Sequence, residues 1–376
     1  MKCFWLISFS LLSLFSYAQR ENKIFKNKQY PGLSFNYSYG SVIPSNDFVR
    51  GENLAGTPIT RFSSTTAKLF WQNPGYQEWQ KVYKCPYYGV GFYFGQFFTE
   101  EIGNPYSIFG FFGIPTLRLK KLEIYSDLEF GIAWHWNHYD PINNPMNLAI
   151  GSGLTVYVNA GFNMVYPITS FMDLGIGYSF THFSNGGFER PNRGLNLYSP
   201  SLELKLYPVG RPEVRSVEKP GRLDRSNDLI FMLEYGDHQL NEHELDTNYF
   251  AIAGLGVYYS MQHTNAFRSG PGVDFNFWWG LTANDDGTPG PVGWNNLTIG
   301  LIYQPEFIIG RMNLTGGIGI YATSYKYGNF KQLYQRLGVK YYFTSNLSLG
   351  VAVRSVNFML AEYLEFNLGY RITWKK

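Results

Sequence analysis

The sequence is poor in charged residues and in cysteine, and it has no long apolar run beyond its start. Only 16% of its 376 residues are charged, against about a quarter in a soluble globular domain. Cys3 falls in the leader described next, so Cys85 is left alone and no intramolecular disulfide is expected. No later segment reaches the ~18 consecutive apolar residues of a transmembrane helix. The net charge of +3, without a basic cluster on a strand or helix, predicts no nucleic-acid partner.

The first residues have the pattern of a secretory signal peptide. Lys2 precedes an apolar run over residues 3–15, and Ser16-Tyr17-Ala18 forms a small-x-small cleavage site. We predict a signal peptide at 1–18 that is cleaved after Ala18. If this exported chain spans a membrane, it must do so as a closed β-barrel, because lipid cannot satisfy the open edges of a sheet.

Aromatic residues and glycine are abundant, and apolar residues alternate with polar ones along most of the chain. Phe, Tyr and Trp make up 19% of the residues, which suits a barrel whose aromatic girdles mark both membrane interfaces. From Leu364 to Trp374 every second residue is apolar, as in a strand with one face toward lipid. A soluble β-sandwich alternates in the same way, but the leader, the aromatic content and the scarcity of charge favour a membrane barrel.

The alternating segments form two series, separated by a charged, proline-containing stretch at 208–227. The first series is predicted near 33–44, 59–71, 88–98, 106–119, 121–134, 152–166, 170–183 and 197–207, and the second near 228–237, 249–260, 271–280, 296–310, 312–323, 333–343, 346–357 and 362–374. We therefore predict an all-β fold, a transmembrane antiparallel β-barrel of about 12–16 strands. A single barrel is favoured, and two eight-stranded units remain open. The predicted regions are 1–18, 30–207 and 228–376.

Residues 181–199, THFSNGGFERPNRGLNLYS, contain the strongest candidate for a functional site. His182 and Ser184 continue the apolar column of the preceding strand, so the period of two places both on the lipid-facing side. On the returning strand Asn196 falls in the apolar column, whereas Glu203 falls in the polar column and points inward. The tight turn at 167–169 indicates the periplasmic side, since outer loops are longer. This places the His182 end of the strand at the outer leaflet.

These residue types can supply a nucleophile, a general base and hydrogen-bond donors. His182 can take the proton of Ser184 near neutral pH and so activate the hydroxyl as a nucleophile. Asn196 can accept the other imidazole N–H and hold the tautomer, although it carries no charge to stabilise the imidazolium. The backbone N–H of Gly187 and the amide of Asn192 could bind a tetrahedral oxyanion. The competing interpretation is an ordinary outer loop rich in turn residues.

This motif resembles that of the PagL-type lipid A deacylases, outer-membrane barrels that remove an acyl chain from lipopolysaccharide. The similar residues are His182-Phe183-Ser184-Asn185, Gly187 and Pro191-Asn192-x-Gly194-Leu195-Asn196-Leu197. The resemblance, which covers about residues 30–207, implies an integral outer-membrane esterase without a cofactor that acts on lipid A. It gives His182 and Ser184 the catalytic roles, and it gives Gly187 and Asn192 the oxyanion roles. The family's third residue is a glutamate, at the position that Asn196 occupies here.

The alternative function is a non-enzymatic outer-membrane barrel, either a channel or an assembly partner. Ion conductance would distinguish this alternative from an esterase. The oligomeric state and the role of residues 228–376 do not follow from the sequence. Two histidine pairs, His135 with His138 and His238 with His243, are close enough in sequence to share a metal, but both are predicted to lie in loops and we assign no metal.

Overall fold

In the residues that the structure describes, sixteen antiparallel strands form two closed barrels of eight strands each. The computed structural model describes residues 27–215, 218–239, 249–280, 290–324, 332–358 and 360–375. The predicted all-β barrel fold is confirmed, but the preference for a single barrel is wrong. The predicted signal peptide lies outside the described residues. None of the helices in the described ranges is long and apolar enough to cross a bilayer.

The first barrel is closed by pairing of its last strand with its first, with Leu33 opposite Leu206 and Val42 opposite Leu197. Its strands are β1 (Pro31–Val42), β2 (Arg61–Trp71), β3 (Tyr87–Gln96), β4 (Gly103–Arg118), β5 (Glu123–Trp136), β6 (Leu154–Pro167), β7 (Met172–Ser184) and β8 (Leu195–Leu206). Two short helices lie in its connections, α1 (Asp47–Arg50) between β1 and β2 and α2 (Glu78–Val82) between β2 and β3.

The second barrel is closed by pairing of β16 with β9, with Phe366 opposite Tyr235. Its strands are β9 (Ser226–His238), β10 (Phe250–Thr264), β11 (Phe267–Trp278), β12 (Leu297–Ile309), β13 (Met312–Thr323), β14 (Leu333–Tyr342), β15 (Leu347–Val356) and β16 (Leu360–Lys375). A short 3-10 helix, Trp294–Asn296, precedes β12. The stretch between β8 and β9 therefore connects two barrels rather than two strands of one sheet.

The two faces of each strand differ as the alternation predicts. Outward-facing side chains are apolar and exposed, for example Ile176 at 57% and Leu202 at 65%. The lumens are filled with buried ion pairs, such as Lys68 with Glu129 at 2.6 Å in the first barrel. An apolar exterior around a polar interior is the arrangement of a barrel that stands in lipid.

The two ends of the first barrel carry connections of different length. The loop end, as we name it, carries the connections 43–60, 97–102, 137–153 and 185–194, and the opposite turn end carries 72–86, 119–122 and 168–171. The connection at 72–86 is long for the turn end because it contains α2. The hairpin β7–β8 places residues 185–194 at the loop end, which is the end predicted to face outward.

Candidate active site

The register of the β7–β8 hairpin brings the predicted catalytic residues together. His182 of β7 lies directly opposite Asn196 of β8, and on its other side it lies opposite Val158 of β6. The outward column of β7 is exposed up to this point, with Tyr178 at 55% and Phe180 at 44%. His182 and Ser184 follow in the same column, on the outer wall of the barrel.

His182 and Ser184 are joined by a hydrogen bond of 3.0 Å between Nε2 and Oγ. Both side chains are half-buried. With the imidazole proton on Nδ1, Nε2 is an acceptor and the Ser184 hydroxyl donates to it. This is the arrangement that lets an imidazole remove the proton of a hydroxyl as the oxygen attacks.

The other imidazole nitrogen, Nδ1 of His182, lies 2.7 Å from Oδ1 of Asn196. Nδ2 of Asn196 donates in turn to Oγ of Ser45 at 3.2 Å. The backbone carbonyl of Asn196 accepts the N–H of Ile43 at 2.8 Å. The start of the β1–β2 connection therefore orients the amide that holds the histidine. Ser45 is a supporting residue that the sequence analysis missed, because 151 positions separate it from Asn196.

Gly194 lies against the imidazole and has a backbone conformation that favours glycine. Its φ is +74°, and a Cβ at this position would lie 2.8 Å from Cε1 of His182. Its carbonyl accepts a hydrogen bond of 3.0 Å from Nδ2 of Asn46, which also caps α1. Glycine is therefore needed here for both the φ angle and the close approach.

The loop between β7 and β8 is organised by the buried side chain of Asn185. Its backbone N–H donates to Oδ1 of Asn192 at 3.1 Å, and its Oδ1 accepts the N–H of Gly187 at 3.0 Å. Its Nδ2 donates to Oγ of Ser152 at 3.1 Å. Because Oδ1 of Asn192 is an acceptor here, its Nδ2 is the atom that can donate to a substrate.

The predicted oxyanion role of Gly187 is less direct than that of Asn192, because the Gly187 N–H already has a hydrogen-bond partner. Its N–H is occupied by Asn185, so it could reach an oxyanion only if that bond were exchanged when substrate binds. Asn185 itself was not assigned a role from the sequence. An asparagine commonly forms a turn by accepting the backbone N–H two residues later. That tendency was the signal in the sequence for a structural role of Asn185.

The remaining candidates lie apart from this site. Glu203 points into the lumen, where its Oε1 accepts from Ser34 at 2.5 Å, as the alternation predicts. His135 and His138 contact backbone carbonyls of Asn104 and Tyr139. No cluster of three metal-binding side chains occurs in the described residues.

Of the second histidine pair, His238 lies in the described residues. His238 is buried at the end of β9 rather than in a loop, and its Nε2 lies 3.2 Å from the carbonyl oxygen of Trp279. His243 lies outside the described residues.

An apolar groove of about 790 Å³ runs along the outer wall on the turn-end side of His182 and Ser184. Tyr178 lines it and lies four residues before His182 on the same face, about 13 Å away at ~3.3 Å per residue. Tyr37 and Tyr39 of β1, Phe162 of β6 and Leu202 of β8 also line it. The groove opens toward the lipid and has the size and polarity to hold hydrocarbon.

Two protein-family models match this chain. One, described as lipid A 3-O-deacylase (PagL), matches residues 65–205, which include His182 and Ser184. The other, described as the C-terminal domain of acyloxyacyl hydrolase, matches residues 227–374, nearly all of the second barrel. No curated protein matches the chain.

Several solved outer-membrane barrels are similar to the chain at low identity. The outer-membrane enzyme PagL matches 45% of this chain and 97% of its own at 16% identity, with a TM-score of 0.29. The protein Omp33 of Acinetobacter baumannii matches 92% and 99% at 8% identity, with a TM-score of 0.18. An outer-membrane channel of Pseudomonas putida F1 matches 93% and 97% at 11% identity, with a TM-score of 0.18.

Proposed function

This chain belongs to the PagL-type lipid A 3-O-deacylase (acyloxyacyl hydrolase) family of outer-membrane β-barrels, and we propose that its His182 and Ser184 carry out the reaction. The protein is an integral outer-membrane ester hydrolase that removes an acyl chain from the lipid A of lipopolysaccharide.

In the first half-reaction, Ser184 is the nucleophile and His182 the general base. The Ser184 hydroxyl proton passes to Nε2 of His182 while Oγ bonds to the ester carbonyl carbon. The tetrahedral intermediate then collapses, the bond to the sugar oxygen breaks, and that oxygen takes the proton from the imidazolium. The acyl chain is left as an ester on Ser184.

In the second half-reaction, water releases the fatty acid. His182 takes a proton from the water while the water oxygen attacks the acyl-serine carbonyl carbon. It then returns the proton to Oγ of Ser184 as the bond between Oγ and the acyl carbon breaks. Nδ2 of Asn192 is the proposed donor to the oxyanion in both halves, an interaction typically worth ~3–4 kcal/mol. No cofactor takes part.

The acyl chain of the substrate lies in the apolar groove beside the catalytic pair. Its walls are outward-facing aromatic and aliphatic side chains, including Tyr178 and Leu202. Burying hydrocarbon against these side chains adds little over bilayer lipid, so the groove orients the chain rather than extracting it. Orientation brings the ester at the head of the chain to the level of Ser184, as efficient attack requires.

The proposal rests above all on one observation. The chain of hydrogen bonds from Ser184 Oγ through His182 to Asn196 stands on the outer wall of the barrel, with distances of 3.0 and 2.7 Å. A base and a hydroxyl aligned in this way on a lipid-facing surface suit a lipid ester as substrate.

Purified protein in detergent, incubated with lipopolysaccharide, tests the assignment when the lipid A is analysed by mass spectrometry. We expect wild type to remove one acyl chain and Ser184→Ala to be slower by at least about 10³-fold. Ser179→Ala is the matched control, because Ser179 lies on the same strand but on the opposite face, where it bonds Asn159. Equal lipid A profiles from wild type and Ser184→Ala would reject the proposal.

A further inference from the structure

The connection 185–194 between β7 and β8, which we term the catalytic loop, packs directly against the wall of the second barrel. A Cβ on Gly187 would lie 2.8 Å from the carbonyl oxygen of Ala361 in β16. A Cβ on Gly186 would lie 3.4 Å from Val353 of β15 and 3.5 Å from Leu364 of β16. Both glycines are buried. A side chain at Gly187 would push the loop away from the second barrel, whereas a Cβ at Gly186 would lie in ordinary van der Waals contact with it.

Two further contacts join the same loop to other segments of the second barrel. The backbone N–H of Arg190 donates to Oε1 of Gln239, just after β9, at 2.8 Å. The ring of Phe188 stacks on the ring of Tyr249, just before β10, with centroids 5.3 Å apart and planes 28° apart. The β15–β16 wall and both ends of the β9–β10 connection thus hold one short loop.

The exposure of the second barrel's wall shows where this contact lies. Leu349 and Phe366 face outward and are 49% and 52% exposed, as expected next to lipid. Val353 and Leu364 are on the same faces of the same strands but are only partly exposed. The difference arises because the catalytic loop, rather than lipid, covers this part of the wall.

The barrels are also joined at the turn end. The Tyr83 hydroxyl donates to the carbonyl of Ala266, between β10 and β11, at 3.4 Å, and Oε2 of Glu78 in α2 accepts the N–H of Gly221, in the connection between the barrels, at 3.0 Å. A Cβ on Gly310 would lie 3.1 Å from the Trp79 ring. Contacts at both ends hold the barrels side by side, so the second barrel has a defined place beside the active site.

We infer that the second barrel is a positioning element for the reaction: β15, β16 and Tyr249 hold the loop 185–192 so that Asn192 faces the ester beside Ser184. This rests on the proposed function. Gly186 and Gly187 have φ angles of +70° and +85°, and glycine backbone samples many other conformations when nothing restrains it. Contacts that fix the loop therefore raise the fraction of molecules in which the oxyanion donor is in place.

Two pairs of variants test this inference without changing the catalytic groups. Tyr249→Ala removes the stacking on Phe188, and Tyr249→Phe keeps it. Val353→Phe adds a ring where the backbone of Gly186 lies, whereas Leu349→Phe adds a ring to the lipid-facing part of the same strand. Each variant is made in the full chain and compared with wild type in the same detergent.

We expect Tyr249→Ala to lower kcat by about three- to tenfold, the value of one aromatic pair, with KM changed less than about twofold. Tyr249→Phe, which keeps the stacking, should have the kcat of wild type. Val353→Phe should lower kcat further than Tyr249→Ala, and Leu349→Phe should leave it unchanged.

Hydrogen exchange of the Asn185 and Gly187 amides gives a second readout, independent of turnover. Both amides should exchange faster in Tyr249→Ala and in Val353→Phe. If exchange does not change, the second barrel does not hold the loop and the inference fails. It also fails if exchange rises while kcat stays constant, or if only KM moves. Because exchange is measured without substrate, absence of deacylation in wild type would overturn the proposed function separately.

Discussion

The amide of Asn196 occupies the position next to His182 where the resemblance implies a glutamate. At 2.7 Å from Nδ1, its oxygen can fix the tautomer and the ring orientation, which are two of the three contributions of a triad acid. The third, stabilisation of the imidazolium by a negative charge, is missing. The geometry of a working triad is therefore present with a neutral third member.

Exchange of Asn196 for an acid should raise activity. Asn196→Asp keeps the side-chain length, and Asn196→Glu introduces the residue that the family has. We expect kcat for deacylation to rise by about tenfold or more in at least one of them, since the reverse change in a serine protease costs about 10⁴-fold. Asn196→Leu, of similar size but without an acceptor, should lower kcat. A rate that is the same in all three variants would show that this side chain does not contribute.

At the level of these residues, sequence reasoning succeeded where it depended on local period and failed where it depended on distant contacts. The two-residue period predicted that His182, Ser184 and Asn196 share a face. It could not predict that the N–H of Gly187 is taken up by Asn185, because that bond depends on how the loop folds. Nor could it predict Ser45, which reaches the site only because β1 closes the barrel against β8.

Strand β7 is the element that carries the site, and its limits were predicted almost as the structure has them. The expected strand was 170–183, and the observed one is Met172–Ser184. Alternation over this length defines one lipid face with little ambiguity, because a shift of one residue would place Asp173 outside. The structure instead buries Asp173 at 1% exposure.

The outward orientation of β7 can be tested by placing a charge in its middle. Ile176→Lys should reduce the free energy of unfolding by about 2–4 kcal/mol, because the lysine ammonium group loses its hydration near the bilayer midplane. Phe171→Lys is the control: Phe171 is similarly exposed, at 58%, but lies in the turn 168–171, where the cost should be about 0–1 kcal/mol. Urea titrations of folding into lipid vesicles measure both. Similar losses at the two positions would contradict the orientation.

The division into two barrels could not be predicted in the same way. Alternation tells which face a residue takes, but it does not tell which strand pairs with which. Sixteen strands of 10–16 residues are compatible with one wide barrel or two narrow ones. The choice is made by pairing of β8 with β1 and of β16 with β9, which are contacts between residues far apart in the sequence.

Considered as a whole molecule, the protein consists of two narrow barrels whose interiors are occupied. In the second barrel, Arg336 pairs with Glu234 at 2.8 Å and with Glu365 at 3.0 Å. A polar cavity of about 40 Å³ lies in the first lumen, large enough to hold water. In the part of the chain that the structure describes, buried charged side chains occupy both interiors, unlike the water-filled channel of a porin.

We therefore expect no steady ion conductance. Purified protein inserted into planar bilayers should leave the current at its baseline over the range of voltages that the bilayer tolerates, because the buried ion pairs block both interiors. A porin reconstituted in parallel shows that insertion can be detected. Stable conductance steps that persist in Ser184→Ala would favour the channel alternative instead.

The position of the proposed catalytic pair on an outer wall also determines how the enzyme meets its substrate. A lipid must arrive sideways by diffusion in the plane of the membrane, and the neighbouring barrel obstructs one of the approaches. The quantity that saturates the enzyme is then the mole fraction of lipid in the surface around it rather than a bulk concentration. Diluting the substrate with inert lipid or detergent should slow turnover even when the total amounts of enzyme and substrate stay the same.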